Sequence, residues 1–306
     1  MEEQALGMLF GLALGDALGG PVKFKSVQEI QAEYGPRGIL EPPEPALFTD
    51  DTQMTLAVAE ALIEAGHQDL ETLMAAVSRR FIAWLNSPEN TRAPGNTCLE
   101  GCRRLEAGIP WRQSGKAGSK GCGAAMRVAP IGYFYQHDVA RLKEVAAATA
   151  LCTHNHPTAL VAAQAAAYLV KLALDEILPG FFLPRLKEEF QGQDPEFDQA
   201  LNRLEQALRL IDLPVALAHI GSGWVAEEAV MAAFYCFLEF PYDFRNAVRL
   251  AANIDGDSDS VACITGGISG AYRGLKNLPQ EWLKRLEKAD YLADVARRLV
   301  QARGKS

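Results

Sequence analysis

The chain has 306 residues, 49% of them hydrophobic and 22% charged, a balance that supports a sizeable folded core and excludes a disordered or collagen-like chain. Its 38 acidic residues outweigh 30 basic ones, for a formal net charge of −8, and no run of Lys or Arg offers the footprint of a nucleic-acid binder. Only the stretch with Lys284, Arg285, Lys288, Arg297 and Arg298 is locally basic, and Glu281, Glu287 and Asp290 dilute it.

In chain order, Met1-Glu2-Glu3-Gln4 is acidic where a signal peptide carries base, and Asp16 interrupts the apolar run behind it. No uninterrupted apolar stretch reaches the ~20 residues needed to span a bilayer, so no membrane partner is expected. Gly7, Gly11, Gly15 and Gly19 then repeat at a spacing of four among Leu, Ala and Phe. Each glycine costs a helix up to about 1 kcal/mol relative to alanine, which is tolerated where another backbone approaches closely. Gly266, Gly270 and Gly274 repeat the pattern near the far end, and the two segments are expected to be buried, tightly packed helices.

Between them, residues 35–48, 86–96 and 108–123 read as long loops, and segments 55–65, 70–85, 139–151, 158–178, 224–239 and 258–272 are Ala-rich with helical spacing. Asp194-Pro195 starts a stripe of Phe197, Leu201, Leu204, Leu208 and Ile211. Trp282, Leu286, Ala289 and Ala293 form another. No segment alternates as a strand would. The expected fold is all-α, a multi-helix bundle, and acidic motifs on both sides of all three loops argue for one domain over 1–306. The six cysteines include no CxxC pair, Cys98 and Cys102 being spaced i, i+4. Small buried thiols in a reduced, cytoplasmic protein are expected.

Two acidic clusters carry the chemistry. Thr49-Asp50-Asp51-Thr52 stands before an apolar helix expected to start at Met54, where Thr and Asp also serve as ordinary caps. Asp255-Gly256-Asp257-Ser258-Asp259-Ser260 leads into the second glycine-ridged helix. It is not an EF-hand loop, because the sixth position is Ser260 and the twelfth is Gly266. Acids leading into a core helix are costly unless paired or metal-bound. Asp50, Asp51, Asp257 and Asp259 carry about four negative charges when ionised, enough for two divalent cations. Oxygen ligands of this kind, with hydroxyls from Thr49 and Ser260, suit Mg²⁺ or Mn²⁺.

Six segments stand in one order along the chain: Gly15-Asp16-Ala17-Leu18-Gly19; Thr49 to Thr52; Gly121-Cys122-Gly123-Ala124-Ala125-Met126-Arg127; Thr153-His154; Gly223-Trp224-Val225-Ala226-Glu227-Glu228-Ala229; and Gly256 to Ser260. The series resembles the ADP-ribosylglycohydrolase family, which includes the dinitrogenase-reductase-activating glycohydrolases, and the likeness covers nearly the whole chain. It implies an all-helical domain with a dinuclear Mg²⁺/Mn²⁺ site below an ADP-ribose cleft, and hydrolysis of the bond between ADP-ribose and a modified side chain or small-molecule adduct. Thr49, Asp50, Asp51, Asp257, Asp259 and Ser260 match the family's metal ligands, and the four aspartates its catalytic acids. Gly121, Cys122, Gly123, Ala124 and Met126 match the loop along the diphosphate and ribose, and His154 a residue beside the ligand; His156 reads as structural. The expected substrate is an ADP-ribose conjugate, ADP-ribosylated proteins included.

The chain departs from the family at one position. Many members continue with a Pro-Val-Glu-Phe-like stretch whose Glu reaches the metal site, whereas this chain reads Gly20-Pro21-Val22-Lys23-Phe24. A lysine is no carboxylate ligand and no general base at its usual pKa. Glu29, Glu33, Glu41 and Glu44 stand near enough in sequence to substitute, and Lys23 also reads as an exposed turn residue. Three functions follow: an active metal-dependent hydrolase, which the surviving aspartates favour; an ADP-ribose-binding protein without turnover; and a generic two-metal phosphohydrolase, which the ordered motifs disfavour.

Overall fold

The computed structural model describes residues 1–305; 69% is helical and there is almost no strand. Helices α1 (Glu2–Gly19), α2 (Val27–Tyr34), α3 (Asp50–Ala65), α4 (Leu70–Leu85), α5 (Asn96–Glu106) and α6 (Trp111–Ser114) make up the first part. Next come α7 (Ala129–Phe134), α8 (Val139–Leu151), α9 (Pro157–Leu174), α10 (Phe182–Phe190), α11 (Pro195–Ala207) and α12 (Leu213–Ile220). The chain ends with α13 (Ala226–Glu239), α14 (Phe244–Ala252), α15 (Ser258–Arg273), α16 (Gln280–Leu283) and α17 (Ala289–Arg303). The one sheet among the described residues is a two-residue parallel pairing of Lys116–Ala117 with His154–Asn155. Aspartates at 69, 138, 194, 212 and 243 each cap a helix by accepting from a backbone N–H of its first turn.

Helices α1 and α15 form the centre, running antiparallel with their backbones in contact. A Cβ added at Gly7 would lie 2.3 Å from Gly270 O, at Gly11 2.3 Å from Gly266 O, and at Gly15 2.0 Å from Ala262 O. No side chain fits there, so the glycine repeats are a requirement of the packing. Gly274 meets the same contact and also ends α15 at φ +72°. Helices α3, α9, α13, α14 and α17 pack around this pair.

By length and composition alone, Glu2–Val22 and Pro157–Leu174 (mean hydropathy 1.5 and 1.4) could cross a membrane, although Asp16 interrupts the first and Lys171 the second. In the fold, 89% and 72% of these stretches are buried inside the protein; they are its core helices.

The structure also corrects three helix boundaries. Helix α3 begins at Asp50, four residues before Met54, because Thr49 is its cap and the two aspartates form its first turn. The stripe from Phe197 ends with α11 at Ala207, leaving Ile211 99% exposed in the turn before the Asp212 cap of α12. Trp282 and Ala289 lie on different helices. Between those helices the backbone pairs with the 35–48 loop, Ala46 N–H donating to Arg285 O (2.9 Å) and Glu287 N–H to Ala46 O (3.1 Å). That loop is an ordered arm rather than a linker, held also by Asn253, whose Oδ1 accepts from Ile39 N–H at 2.8 Å.

Gly11→Ala is expected to lower stability by roughly 3 kcal/mol, the cost of forcing a methyl group into a filled contact. Gly180→Ala, where no heavy atom lies within 4 Å of the new Cβ, should change it by less than about 0.5 kcal/mol. Urea unfolding followed by circular dichroism compares the two, and equal midpoints would contradict the backbone contact.

Candidate active site

The central helix pair fixes where the acids meet. Gly15 and Gly19 at the end of α1 lie against Ala262 and Asp259 at the start of α15, a Cβ on Gly19 falling 2.5 Å from Asp259 Cα. Asp16 therefore stands inside the core, fully buried. Its Oδ2 accepts from Thr49 N–H (2.9 Å), Thr52 N–H (3.0 Å) and the Thr52 hydroxyl. These bonds hold the first turn of α3 against the start of α15, so two helix N-termini converge with their acids inward, where the positive ends of both helices favour negative charge.

The carboxylate oxygens of Asp50, Asp51 and Asp259 come within 4.8 Å of one another. Thr49 Oγ1 lies 3.3 Å from Asp51 Oδ2 and 3.2 Å from Asp259 Oδ2. Asp257, the cap residue of α15, stands outside this trio and accepts at Oδ2 from the Cys122 thiol. Ser260 joins the cluster only through Cys122, its Oγ 3.5 Å from Sγ. Burial and then the Asp259 and Asp50 charges push Asp51 well above the usual carboxylate range. Burial and the Asp259 charge also raise Asp257 to about 8 and Asp16 to about 7. Asp51 Oδ1, Asp257 Oδ1 and Asp259 Oδ1 are buried with no hydrogen-bond partner among the described residues. Crowded, unpartnered carboxylate oxygens of this kind fit a hard divalent cation.

Lys23 enters the same cluster and is not an exposed turn residue. Its Nζ lies 2.7 Å from Asp259 Oδ2 and 3.2 Å from Asp50 Oδ1. Burial disfavours its charge, but the Asp259, Asp51 and Asp50 charges outweigh burial and raise its pKa. None of the four glutamates considered as substitutes takes this place. Glu29 closes the capping box of α2 with Ser26, Glu33 pairs with Lys25, and Glu41 and Glu44 face Arg285.

Above the acids lies a cleft of about 280 Å³ lined by Asp50, Asp51, Asp257, Ser260, Gly121, Cys122, Gly123, Met126 and His154, with Phe24 and Trp224 at its mouth. Its glycine wall is pinned to the start of α13, Cys122 N–H donating to Trp224 O (3.2 Å) and Ala226 N–H to Lys120 O (2.8 Å). A Cβ on Gly121 would lie 3.1 Å from His154 Nε2, and one on Gly123 would lie 2.6 Å from Cys98 Sγ and 3.0 Å from His154 Cε1, so Cys98 and His154 fill the space behind this wall. Ala124 is fully buried behind this wall, and Thr49 and Asp259 lie beneath the cleft rather than on its surface.

A buried relay sets the proton of His154. Arg127 has only donors, so Thr153 Oγ1 accepts from its Nη2 at 2.7 Å. The Thr153 proton then goes to His154 Nδ1 at 2.8 Å in preference to Ala150 O at 3.4 Å. This hydrogen-bond pattern assigns the ring proton to Nε2, which faces the glycine wall. His156 instead caps α9, its Nδ1 accepting from Thr158 N–H at 3.2 Å.

Sequence reasoning missed Asp16, Arg127 and Thr153 as parts of the site, although all three lie inside the quoted motifs. An acid and an arginine among core residues were the available signals.

Burial and the Arg127 charge push His154 down from 6.5 to about 3. A lowered histidine favours the folded state above 6.5 and gives up that contribution as pH falls from there towards about 3. The His154 ring signals in an NMR titration should therefore stay fixed between about pH 5 and 8; a midpoint near the ordinary histidine value would contradict the relay.

The ADP-ribosylglycohydrolase family model matches residues 1–306. ADP-ribosyl-[dinitrogen reductase] glycohydrolase of Rhodospirillum rubrum is 29% identical, covering 94% of this chain and 91% of its own. ADP-ribosylarginine hydrolase Tri1 of Serratia proteamaculans is 26% identical over 97% of this chain and 79% of its own. Among solved structures, an ADP-ribosylglycohydrolase-related protein complex matches with TM-score 0.76 and 28% identity over 99% of this chain and 98% of that one. With the family's match spanning every residue, this chain belongs to the ADP-ribosylglycohydrolases, hydrolases of the glycosidic bond to ADP-ribose.

Proposed function

We propose that this chain cleaves the bond between ADP-ribose and a modified side chain or small-molecule adduct with Mg²⁺ or Mn²⁺ held at its carboxylate cluster. The observation that carries this reading is the meeting of Asp50, Asp51 and Asp259 within 4.8 Å beneath a glycine-walled cleft. Asp50, Asp51 and Asp259, with Asp257 and the hydroxyls of Thr49 and Ser260, are the groups that would hold the cation. Such a cation supplies Lewis acidity to hydroxyl oxygens and makes water a better nucleophile at neutral pH. The four carboxylates alone would balance two such ions, and Lys23 enters that balance as a further positive charge.

The chain's own groups serve the rest of the reaction. In the 121–126 loop the N–H groups of Cys122, Ala124, Ala125 and Met126 already donate within the protein, so those of Gly121 and Gly123 are the ones that would face a bound diphosphate. His154 donates from Nε2 while remaining neutral, so it orients an oxygen and does not take up a proton at neutral pH. The buried carboxylates favour the positive charge that develops at the anomeric carbon as the glycosidic bond breaks. Phe24 and Trp224, stacked with ring centroids 5.1 Å apart, border the mouth where the leaving group would emerge.

ADP-ribose release from arginine-, serine- and acetyl-linked substrates tests the reading. Release is expected with Mg²⁺ or Mn²⁺, to vanish with EDTA, and to fall by about 100-fold or more in Asp51→Asn. Release that EDTA leaves unchanged would contradict it. Binding without turnover is the second reading, favoured by Lys23 at the position where the family resemblance implies an acid. Tight ADP-ribose binding with no release from any of these substrates would select it.

A further inference from the structure

Lys23 sits on two of the three carboxylates whose oxygens meet within 4.8 Å, Nζ standing 2.7 Å from Asp259 Oδ2 and 3.2 Å from Asp50 Oδ1. The side chains of Lys23, Asp50 and Asp259 are 9%, 4% and 0% exposed, so this is a buried ion pair and not a surface contact. We infer that the Lys23 ammonium is a tethered cation that takes the place of one divalent ion, so that this chain holds a single Mg²⁺ or Mn²⁺. The inference rests on the metal-dependent reading above and deepens it.

The backbone fixes the ammonium where it is. Lys23 follows a short turn over Gly20–Val22, and the segment after it is tied to the turn that precedes α15. Phe24 N–H donates to Gly256 O (2.8 Å), Gly256 N–H to Lys25 O (3.2 Å), and Val27 N–H to Asp255 Oδ1 (2.6 Å). Phe24 has φ +69°, a left-handed conformation that non-glycine residues adopt rarely. Its ring stacks on Trp224 and stands 5.1 Å from the Lys23 Nζ. Withdrawing the ammonium would therefore leave a cation–π contact and two buried carboxylates at once.

Charge and the oxygens already occupied both bear on the stoichiometry. Four carboxylates bring about four negative charges when ionised. Arg127, fully buried behind Cys98, has no carboxylate partner among the described residues and adds one positive charge to the same region. With Lys23 as a second, two positive charges already answer part of the negative charge that a second divalent cation would otherwise balance, the buried Asp16 carboxyl included. Unpartnered oxygens remain for the single ion at Asp51, Asp257 and Asp259, whereas Lys23 already occupies Asp50 Oδ1 and Asp259 Oδ2.

Metal counting by equilibrium dialysis of EDTA-stripped protein against Mn²⁺, with electron paramagnetic resonance on the same samples, tests this. The wild-type chain is expected to take up one Mn²⁺ with the spectrum of an isolated ion. Lys23→Glu should take up two, with the spectrum of a coupled pair, and Lys23→Gln should bind its Mn²⁺ about 10-fold or more tightly once the competing charge is gone. Far-UV circular dichroism checks that both variants remain folded. Two Mn²⁺ in the wild-type chain would overturn the inference whatever the variants do, and would leave the hydrolase reading standing. One Mn²⁺ of unchanged affinity in wild type and both variants would also overturn it. No Mn²⁺ in any of the three proteins would overturn the metal-dependent reading and this inference with it.

Discussion

The contact between the backbones of α1 and α15 is the constraint on which the rest of the structure depends. Where two helices touch through Gly7, Gly11 and Gly15 on one side and Gly266 and Gly270 on the other, the pair has almost no freedom to slide or rotate. Interiors packed at crystal-like density transmit such constraints over their length. At one end of the pair this fixes Asp16 and Asp259 relative to each other, and Asp16 in turn holds the first turn of α3 through three hydrogen bonds. A packing rule thus becomes the placement of carboxylates drawn from distant parts of the chain.

The site that results is electrostatically strained, and its parts answer that strain in different ways. The N-terminal ends of α3 and α15 face the acids, and Thr49 bridges them with its hydroxyl. The Cys122 thiol donates to Asp257, while burial and the Asp257 charge keep that thiol from ionising. Lys23 supplies a full positive charge, and Arg127 another from behind. Three aspartate oxygens still lack partners among the described residues, and raised carboxyl pKa values cluster at functional sites. The same negative floor suits a substrate whose reacting carbon becomes positive as its glycosidic bond breaks.

Much of this was legible in the sequence, for identifiable reasons. Helical spacing is a local property, so the all-α fold and segments such as 70–85 and 139–151 followed directly from it. The glycine repeats disclosed two buried, tightly packed helices because glycines at every fourth position of an apolar helix mark a face where another backbone packs; that each is the other's partner came from the structure. Local pattern failed where a distant partner intervened. The helix suggested by Trp282, Leu286 and Ala289 breaks because Arg285 and Glu287 pair with Ala46, far away in the chain. The apolar character of α1 and α9 reflects their place in the core, where most of each helix is buried. In the site, the acids announced themselves, but the partners of Lys23 could not, since nothing in Pro21-Val22-Lys23-Phe24 says where a flexible side chain ends. The relay from Arg127 through Thr153 to His154 was equally hidden, as it exists only when α8 lies beside the glycine wall.

The most direct measurement of the link between packing and site is the Mn²⁺ affinity of Gly19→Ala by calorimetry. Gly19 offers no ligand atom, yet a Cβ there would lie 2.5 Å from Asp259 Cα. If the helix contact positions the carboxylates, the folded variant should bind Mn²⁺ about 10-fold or more weakly than wild type, the loss usual when a group that orients a ligand is disturbed. Unchanged affinity in a folded Gly19→Ala protein would contradict the claim that the α1–α15 contact builds the site.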